Sequence, residues 1–183
     1  MLNPDSLEKN FGLTIAFLLP GFVCLAAMSR FSPTIAVWMS IEPSSSPSVV
    51  GFLYVLLAST GAGLIASAVR WLIIDSLHHR TGLRPPQWDF ARLQSNYDAF
   101  QLAVEHNYRH YQFYANMIVA SLLFGFCDQL VRGPWSAGAL AAAGALELVL
   151  LATSRDCLRR YYARTEQLLR REASPLIIAS DAR

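Results

Sequence analysis

Two pairs of histidines are the residues of this chain whose type and spacing come closest to a reactive site. His106 and His110 are four positions apart, with Glu105 beside them, and this spacing places both imidazoles on one face of a helix, as in many metal sites. His78 and His79 could supply a further ligand if the chain between the two pairs folds back. The residue order differs from the His-Glu-x-x-His motif of zinc proteases. We therefore expect no bound metal and no cofactor, and a metal-dependent enzyme is the alternative.

A second candidate for chemistry is an acid and a base that interrupt long apolar runs. Arg70 and Glu147 lie at similar distances from the ends of their runs, and an isolated charge in apolar surroundings is costly. We therefore expect an ion pair between them, which would lock two helices together or serve a proton relay or a gate. The alternative for Arg70 is a side chain that reaches polar surroundings on its own. Asp128, near Arg132, is expected to lie at the edge of its apolar run.

Known catalytic signatures are missing from the rest of the sequence. It contains no phosphate-binding loop, dinucleotide fingerprint, nucleophile elbow or internal repeat. The three cysteines, Cys24, Cys127 and Cys157, are widely spaced, so we expect packing residues rather than disulfides or zinc ligands. These observations favour a protein without catalytic chemistry.

The elements that carry these residues are apolar segments. Of the 183 residues, 54% are hydrophobic and 15% are charged, and the mean hydropathy is +0.32. A soluble domain contains about 25% charged residues, so this composition predicts an integral membrane protein. We expect an all-α membrane protein, a single domain over residues 1–183, with four transmembrane helices and cytoplasmic amphipathic helical extensions.

The predicted spans are apolar runs long enough for a bilayer. They cover residues 11–28, 49–74, 113–131 and 136–152. A cleaved signal peptide is the alternative for the first span. Proline and serine residues predict a loop over 29–48, with 35–41 at the membrane interface. The fourth span is rich in Ala and Gly and contains Glu147, so it inserts weakly alone and is expected to be buried among the other helices.

The polar segment 75–112 and the residues after the fourth span are predicted to extend the helices beyond the membrane. Gly82 is expected to end the second helix, and Asp89 to cap a new helix that runs from Phe90 into the third span. An apolar and aromatic stripe follows this helix, formed by Leu93, Tyr97, Phe100, Val104, Tyr108 and Tyr111. The stripe must cover something, and the nearest candidates are the end of the second span and an Arg-rich helix over 154–172. Residues 173–183 form a short tail.

Small residues in the predicted spans indicate close helix packing. Ser59, Gly63 and Ser67 recur every four positions, which lets a second backbone approach. Gly138 and Gly144 are assigned the same role in the fourth span. We expect packing within the same chain, with a dimer face as the alternative.

The distribution of basic residues predicts the orientation. Twelve Arg and Lys residues fall on the side of both termini and of segment 75–112, and two, Arg30 and Arg132, fall on the other side. The positive-inside rule then places both termini in the cytoplasm, as in a multi-pass protein of a cell inner membrane. Arginines of the last helix are expected to contact anionic lipid headgroups or a partner, namely Arg155, Arg159, Arg160, Arg164, Arg170 and Arg171. The same bias explains them without nucleic acid, so no nucleic-acid partner is expected.

These patterns predict a non-catalytic polytopic membrane protein that assembles with itself or with a soluble partner, as an oligomeric pore or a membrane effector. The polar residues of the third span, Asn116, Ser121 and Asp128, are sparse for a pore lining. An enzyme at the membrane surface that uses His106 and His110 is the second hypothesis. A small transporter subunit is the third, although the spans lack the broken-helix repeats of many transporters.

Overall fold

The apolar runs of the sequence form long helices in the computed structural model. The structure describes residues 4–39, 49–94 and 96–169, and this part of the chain contains helices and turns but no β-strand. Its α-helices are α1 (Pro4–Met28), α2 (Pro33–Met39), α3 (Val49–Arg70), α4 (Ser76–Arg80), α5 (Tyr97–Ala103), α6 (Arg109–Arg132) and α7 (Ala137–Leu169). Two π-helical turns, Trp71–Asp75 and Val104–Tyr108, join α3 to α4 and α5 to α6, and a 3-10 turn covers Phe90–Arg92. The prediction of an all-α protein is confirmed.

Three helical segments within the described residues are long and apolar enough to cross a membrane. They are Val49–Arg80 with 32 residues, Tyr97–Arg132 with 36 and Ala137–Leu169 with 33, whereas about 20 residues suffice for a bilayer. These segments contain the second, third and fourth predicted spans. In α1 the described apolar part, Ile15–Met28, is shorter.

The helices α1 and α3 approach so closely that only glycine fits at two positions of their crossing. A Cβ atom added to Gly63 would lie 2.0 Å from the carbonyl oxygen of Phe17, and one added to Gly21 would lie 1.7 Å from the carbonyl oxygen of Ser59. Both distances are far below van der Waals contact. The two backbones are therefore in direct contact, as small residues at a helix crossing allow.

Helix α6 packs against both of these helices. The buried side chain of Asn116 donates a hydrogen bond from Nδ2 to the carbonyl oxygen of Ala16 at 3.0 Å. Cys24, Ala66 and Ala120 form a small buried core between the three helices. The bundle of α1, α3 and α6 is thus held by small side chains and one buried amide.

The N-terminal half of α7 lies largely outside this bundle. Within its most apolar stretch 6% of the residues are buried, against 33% for the segment Tyr97–Arg132. The buried residues of α7 begin at Leu150 and continue to Leu169. The prediction that the fourth span is buried among the other helices is therefore wrong for the single chain. The physical reason is that α1, α3 and α6 close on one another, and the later turns of α7 pack against α6, α5 and the turns beside α5.

Gly82 ends the second long helix, as predicted. Its φ of +99° is a left-handed conformation that favours glycine. The N–H of Leu83 donates to the carbonyl oxygen of His78, and the N–H of Gly82 donates to that of His79. This pair of bonds is a Schellman motif, which satisfies carbonyl groups that the end of the helix leaves free.

The helix predicted to begin at Phe90 begins at Tyr97 and then continues into the third span. Asp89 caps the short 3-10 turn instead, because its carboxylate accepts the N–H of Ala91 at 3.1 Å. Its own N–H donates to the carbonyl oxygen of Leu169 at 3.0 Å. This bond holds the segment before α5 against the end of α7, and a regular helix through 90–96 would alter that contact.

The segment between the first two predicted spans contains α2 rather than only a loop. Trp38 of α2 stacks on Tyr54 of α3, with 5.7 Å between the ring centres. Residues 40–48 of the predicted proline- and serine-rich loop lie outside the described residues. The predicted tail, residues 173–183, and Arg170 and Arg171 also lie outside them.

Replacing Gly63 by alanine should destabilise the protein by about 1–3 kcal/mol, because the added methyl group overlaps the Phe17 carbonyl and forces α1 and α3 apart. The matched control is Gly61→Ala on the same helix, where the new Cβ meets nothing within 4 Å. The control should be neutral or slightly stabilising. Unfolding of the purified protein followed by circular dichroism measures both. Equal stability of the two variants would contradict the close crossing.

Candidate functional site

One π-helical turn lies at the end of the second predicted span and the other lies shortly before the third. The first of them brings Arg70 and Asp75 onto one face of their helix. Arg70 and Asp75 are five residues apart, a spacing that turns side chains about 140° apart in an α-helix. The π turn Trp71–Asp75 widens the helix by one residue per turn and brings the two side chains together. Such turns are frequent at functional sites, and the candidate site lies around this one.

Arg70, Asp75 and Tyr111 form a buried polar unit. Arg70 is 4% exposed, its Nη1 lies 3.5 Å from Oδ1 of Asp75, and its guanidinium carbon lies 5.2 Å from the ring centre of Tyr111. The hydroxyl of the fully buried Tyr111 donates a short hydrogen bond to the same Oδ1. The carboxylate of Asp75 thus compensates the charge of Arg70 and accepts a hydrogen bond from the hydroxyl of Tyr111. This unit links α3 and the π turn after it to α6.

His78 lies one helical turn beyond this unit and links α4 to α7. It is 1% exposed, and its Nε2 lies 3.1 Å from Oγ of the buried Ser154. The Ser154 hydroxyl donates its single proton to the carbonyl oxygen of Leu151 at 2.9 Å. The imidazole and this hydroxyl share a hydrogen bond, which ties α4 to α7. Burial, and then the nearby Arg155, lower the pKa of His78, which lies beyond the predicted span 49–74.

Aromatic rings enclose this polar core on the side of α7. Tyr108 lies 5.0 Å from Tyr161 and 5.9 Å from Tyr111, measured between ring centres. Trp88 covers Tyr161 at 6.5 Å. Ile74, Leu158 and several partly buried residues complete the cluster. We call residues 74–111 and 150–169 the helical module, since they pack together at the ends of the predicted spans and beyond them.

Two further contacts hold α4 and its terminus on α7. Arg155 donates from Nη2 to the carbonyl oxygen of Thr81 at 2.8 Å. His79 lies 3.2 Å from the hydroxyl of Tyr162 through its Nε2. Burial, with the Asp75 charge as the next cause, raises the pKa of Tyr162 to about 12, so this phenol is protonated at neutral pH.

The predicted pair of Arg70 and Glu147 is replaced by two separate contacts. Arg70 is paired with Asp75, whereas Glu147 on α7 accepts a hydrogen bond from the hydroxyl of Ser121 on α6 at 2.6 Å. The π turn supplies Arg70 with a partner on its own helix, so it needs none from α7. Arg70 and Glu147 lie at similar distances from the ends of their apolar runs, but this similarity does not bring them into contact.

The four histidines do not come together as a set of ligands. His106 and His110 are exposed neighbours with ring centres 6.1 Å apart, and Glu105 accepts a hydrogen bond from Gln101. His78 and His79 face α7 instead. Within the described ranges no three His, Cys, Asp or Glu side chains are arranged to hold a metal ion. The site thus offers two adjacent imidazoles without a third ligand.

The predicted headgroup arginines differ in their surroundings. Arg155 binds Thr81, and Arg160 pairs with Asp156 of its own helix at 2.8 Å. Arg159 and Arg164 are exposed. Among the predicted packing residues, Ser59 and Gly63 contact α1, Ser67 is half-buried, and Gly138 and Gly144 have open space around them.

A second polar cluster lies at the opposite ends of the helices, where Asp128 is more enclosed than the sequence suggested. It is 7% exposed and lies 3.2 Å from Nη2 of Arg30 and 3.5 Å from Nε of Arg132. Trp135 donates from Nε1 to its Oδ2 at 2.9 Å. This carboxylate joins the end of α1 to the turn between α6 and α7.

The sequence pattern pointed to Arg70 but missed Asp75, Tyr111 and Ser154. Asp75 looked like the first polar residue after a span, and Tyr111 was assigned to an apolar stripe. The available signal for the contact was that Tyr111 and Asp75 both lie next to the ends of predicted spans on the same side of the membrane. The partner of each, however, depends on a π turn and on contacts between distant helices.

In the part of the chain that the structure describes, fold and site define an all-helical protein with three helical segments of membrane length, whose ends form a packed helical module next to a buried ion pair. Comparisons with protein-family models, with curated proteins and with solved structures gave no match to this chain.

Replacing Asp75 by asparagine should cost about 3–5 kcal/mol of stability, because Arg70 remains as a buried charge without compensation. The double variant Asp75→Asn/Arg70→Met should recover much of the loss. Asp156→Asn is the control, since its pair with Arg160 is exposed and should contribute less than about 1 kcal/mol. Equilibrium unfolding in detergent measures all three. Similar small losses for Asp75→Asn and Asp156→Asn would show that Asp75 does not compensate Arg70.

Proposed function

We propose that this protein is a non-catalytic, multi-pass membrane protein that acts by assembly. It has four spans, both termini in the cytoplasm, and a helical module that projects from the membrane on the cytoplasmic side. Its activity is to associate with a second copy within the bilayer and to present the module to a soluble partner.

The observation that carries this proposal is the surplus length of the helices. The segments of 32, 36 and 33 residues exceed a bilayer span of about 20 residues by roughly three to four turns each. The surplus turns of the three segments pack into one module with its own aromatic and polar core. A rigid extension of this kind suits docking better than it suits transport across the membrane.

The charge pattern supports the orientation but limits the contact with lipid headgroups. Arg164 lies about 18 Å along α7 from the end of the predicted span, farther than the Debye length of about 8 Å at physiological salt. Arg159 and Arg160, at about 10–12 Å, also lie beyond this length, so their attraction to anionic headgroups is weak. The more distant arginine faces the aqueous phase.

Labelling of single cysteines should verify the threading. In a variant without Cys24, Cys127 and Cys157, we expect an impermeant maleimide to label Thr34→Cys and Ser136→Cys from outside intact cells. The variants Arg84→Cys and Arg164→Cys should be labelled only after permeabilisation, because the basic segments stay in the cytoplasm. All four positions are exposed in the single chain. External labelling of Arg84→Cys would contradict the four-span arrangement.

The half of α7 before Leu150 is the surface we assign to self-association. It is nearly unburied in the single chain, and Gly138 and Gly144 leave room for a second backbone. Oε2 of Glu147 is enclosed yet has no hydrogen-bond partner among the described residues.

Replacing Gly144 by leucine should weaken the dimer about tenfold, because the new side chain occupies the space of the second backbone. Gly61→Leu is the matched control on α3, since Gly61 also has nothing within 4 Å of its added Cβ. Energy transfer between labelled copies, measured in liposomes over a range of protein-to-lipid ratios, gives the association constant. A wild type that stays monomeric, or equal effects of the two substitutions, would exclude α7 as the interface.

A soluble partner is supported by apolar residues at the tip of the module. Phe90, Tyr97 and Leu102 are 63%, 56% and 59% exposed. A shallow cavity of about 210 Å³ lies beside them, lined by Ala99, Leu102, Ala103, Arg164, Gln167 and Leu168. The tip lies beyond the reach of the headgroups, so lipid does not cover it and a protein surface would.

A further inference from the structure

We propose that His78 is a proton-sensitive latch that holds α4 against α7. In its neutral form it closes the helical module, and its protonation releases the two elements from each other. This inference goes beyond the proposed assembly and does not depend on it, because the latch lies within one chain.

The burial of His78 favours the neutral imidazole. His78 is 1% exposed and its Nε2 shares a hydrogen bond with Ser154, which is itself fully buried and donates to Leu151. Protonation would place a positive charge on a ring that water does not reach. A buried cation is stable only if an anion or several acceptors compensate it.

The charges around His78 cannot supply this compensation without rearrangement. The titratable and charged groups that face it are Asp75 and His79 on its own helical segment, Tyr111 on α6, and Arg155 on α7. The guanidinium group of Arg70 lies over the ring of Tyr111. Asp75 is the acid among these groups, and it already forms an ion pair with Arg70 and accepts a hydrogen bond from the Tyr111 hydroxyl. A second cation would have to draw Asp75 away from them.

The sign of the pH effect follows from these contacts. Since folding lowers the pKa of His78 below its ordinary value of 6.5, the unfolded or opened chain binds the proton more tightly than the closed one. The contribution of His78 to stability is therefore complete above about pH 6.5 and decreases as the pH falls below it. Opening of the latch should become more favourable by up to about tenfold per pH unit until the pKa of the closed state is reached.

Amide hydrogen exchange of the full chain in detergent or nanodiscs measures this opening. After correction for the intrinsic pH dependence of exchange, the amides of α4 and of residues 150–158 should open up to about tenfold more at about pH 5.5 than at about pH 7.5. The N-terminal part of α6 should change less. In His78→Gln, whose amide can donate to Ser154 but does not titrate, this pH dependence should be lost. His106→Gln is the control, since His106 is exposed, and it should behave as the wild type.

A measurement on the wild type keeps the latch testable if His78→Gln fails to fold. Nitrogen NMR of histidine-labelled protein should reveal one of the four side chains as a neutral imidazole that resists protonation at pH 6.5. Four histidines that titrate at their ordinary value would overturn the proposal. So would a wild type whose α4 and α7 amides have the same pH dependence as those of His78→Gln.

Discussion

The central constraint on this structure is that a charge buried among apolar helices must be compensated by the chain itself. Arg70 meets it through Asp75, five residues later, and through the ring and hydroxyl of Tyr111. The π turn between Arg70 and Asp75 makes the pair possible. Because Tyr111 belongs to the next long helix, the same compensation determines how α6 sits against the second helix.

The helical module is built outward from that unit. His78 and Arg155 join the next turns of α4 and α7, and the rings of Tyr108 and Tyr161 fill the space between α7 and the segment before α6. The ends of the three long helical segments are thus held together by aromatic side chains, which bury one another's apolar surfaces.

Within the predicted membrane region the packing follows a different rule. The helices α1 and α3 meet backbone to backbone at Gly21 and Gly63, and the Asn116 amide fastens α6 to α1. Among the described residues, the first half of α7 contacts α6 through Glu147 and Ser121 and is otherwise largely unburied. The single chain is therefore closely packed on one side and open on the other, and Glu147, with one oxygen unsatisfied within the described residues, lies where α7 begins to contact α6.

The helices are predictable from the sequence alone, because apolar periodicity and the positions of glycines are local properties. These properties predict the all-α class, the end of a helix at Gly82 and the close helix packing at Ser59 and Gly63. Tertiary structure decided which polar groups meet. His78 contacts a serine 76 residues away, and Arg70 and Glu147 have different partners from those expected. Such contacts depend on helix register, which one π turn shifts, and on which helices close first. Neither is recorded in the spacing of residues along one helix.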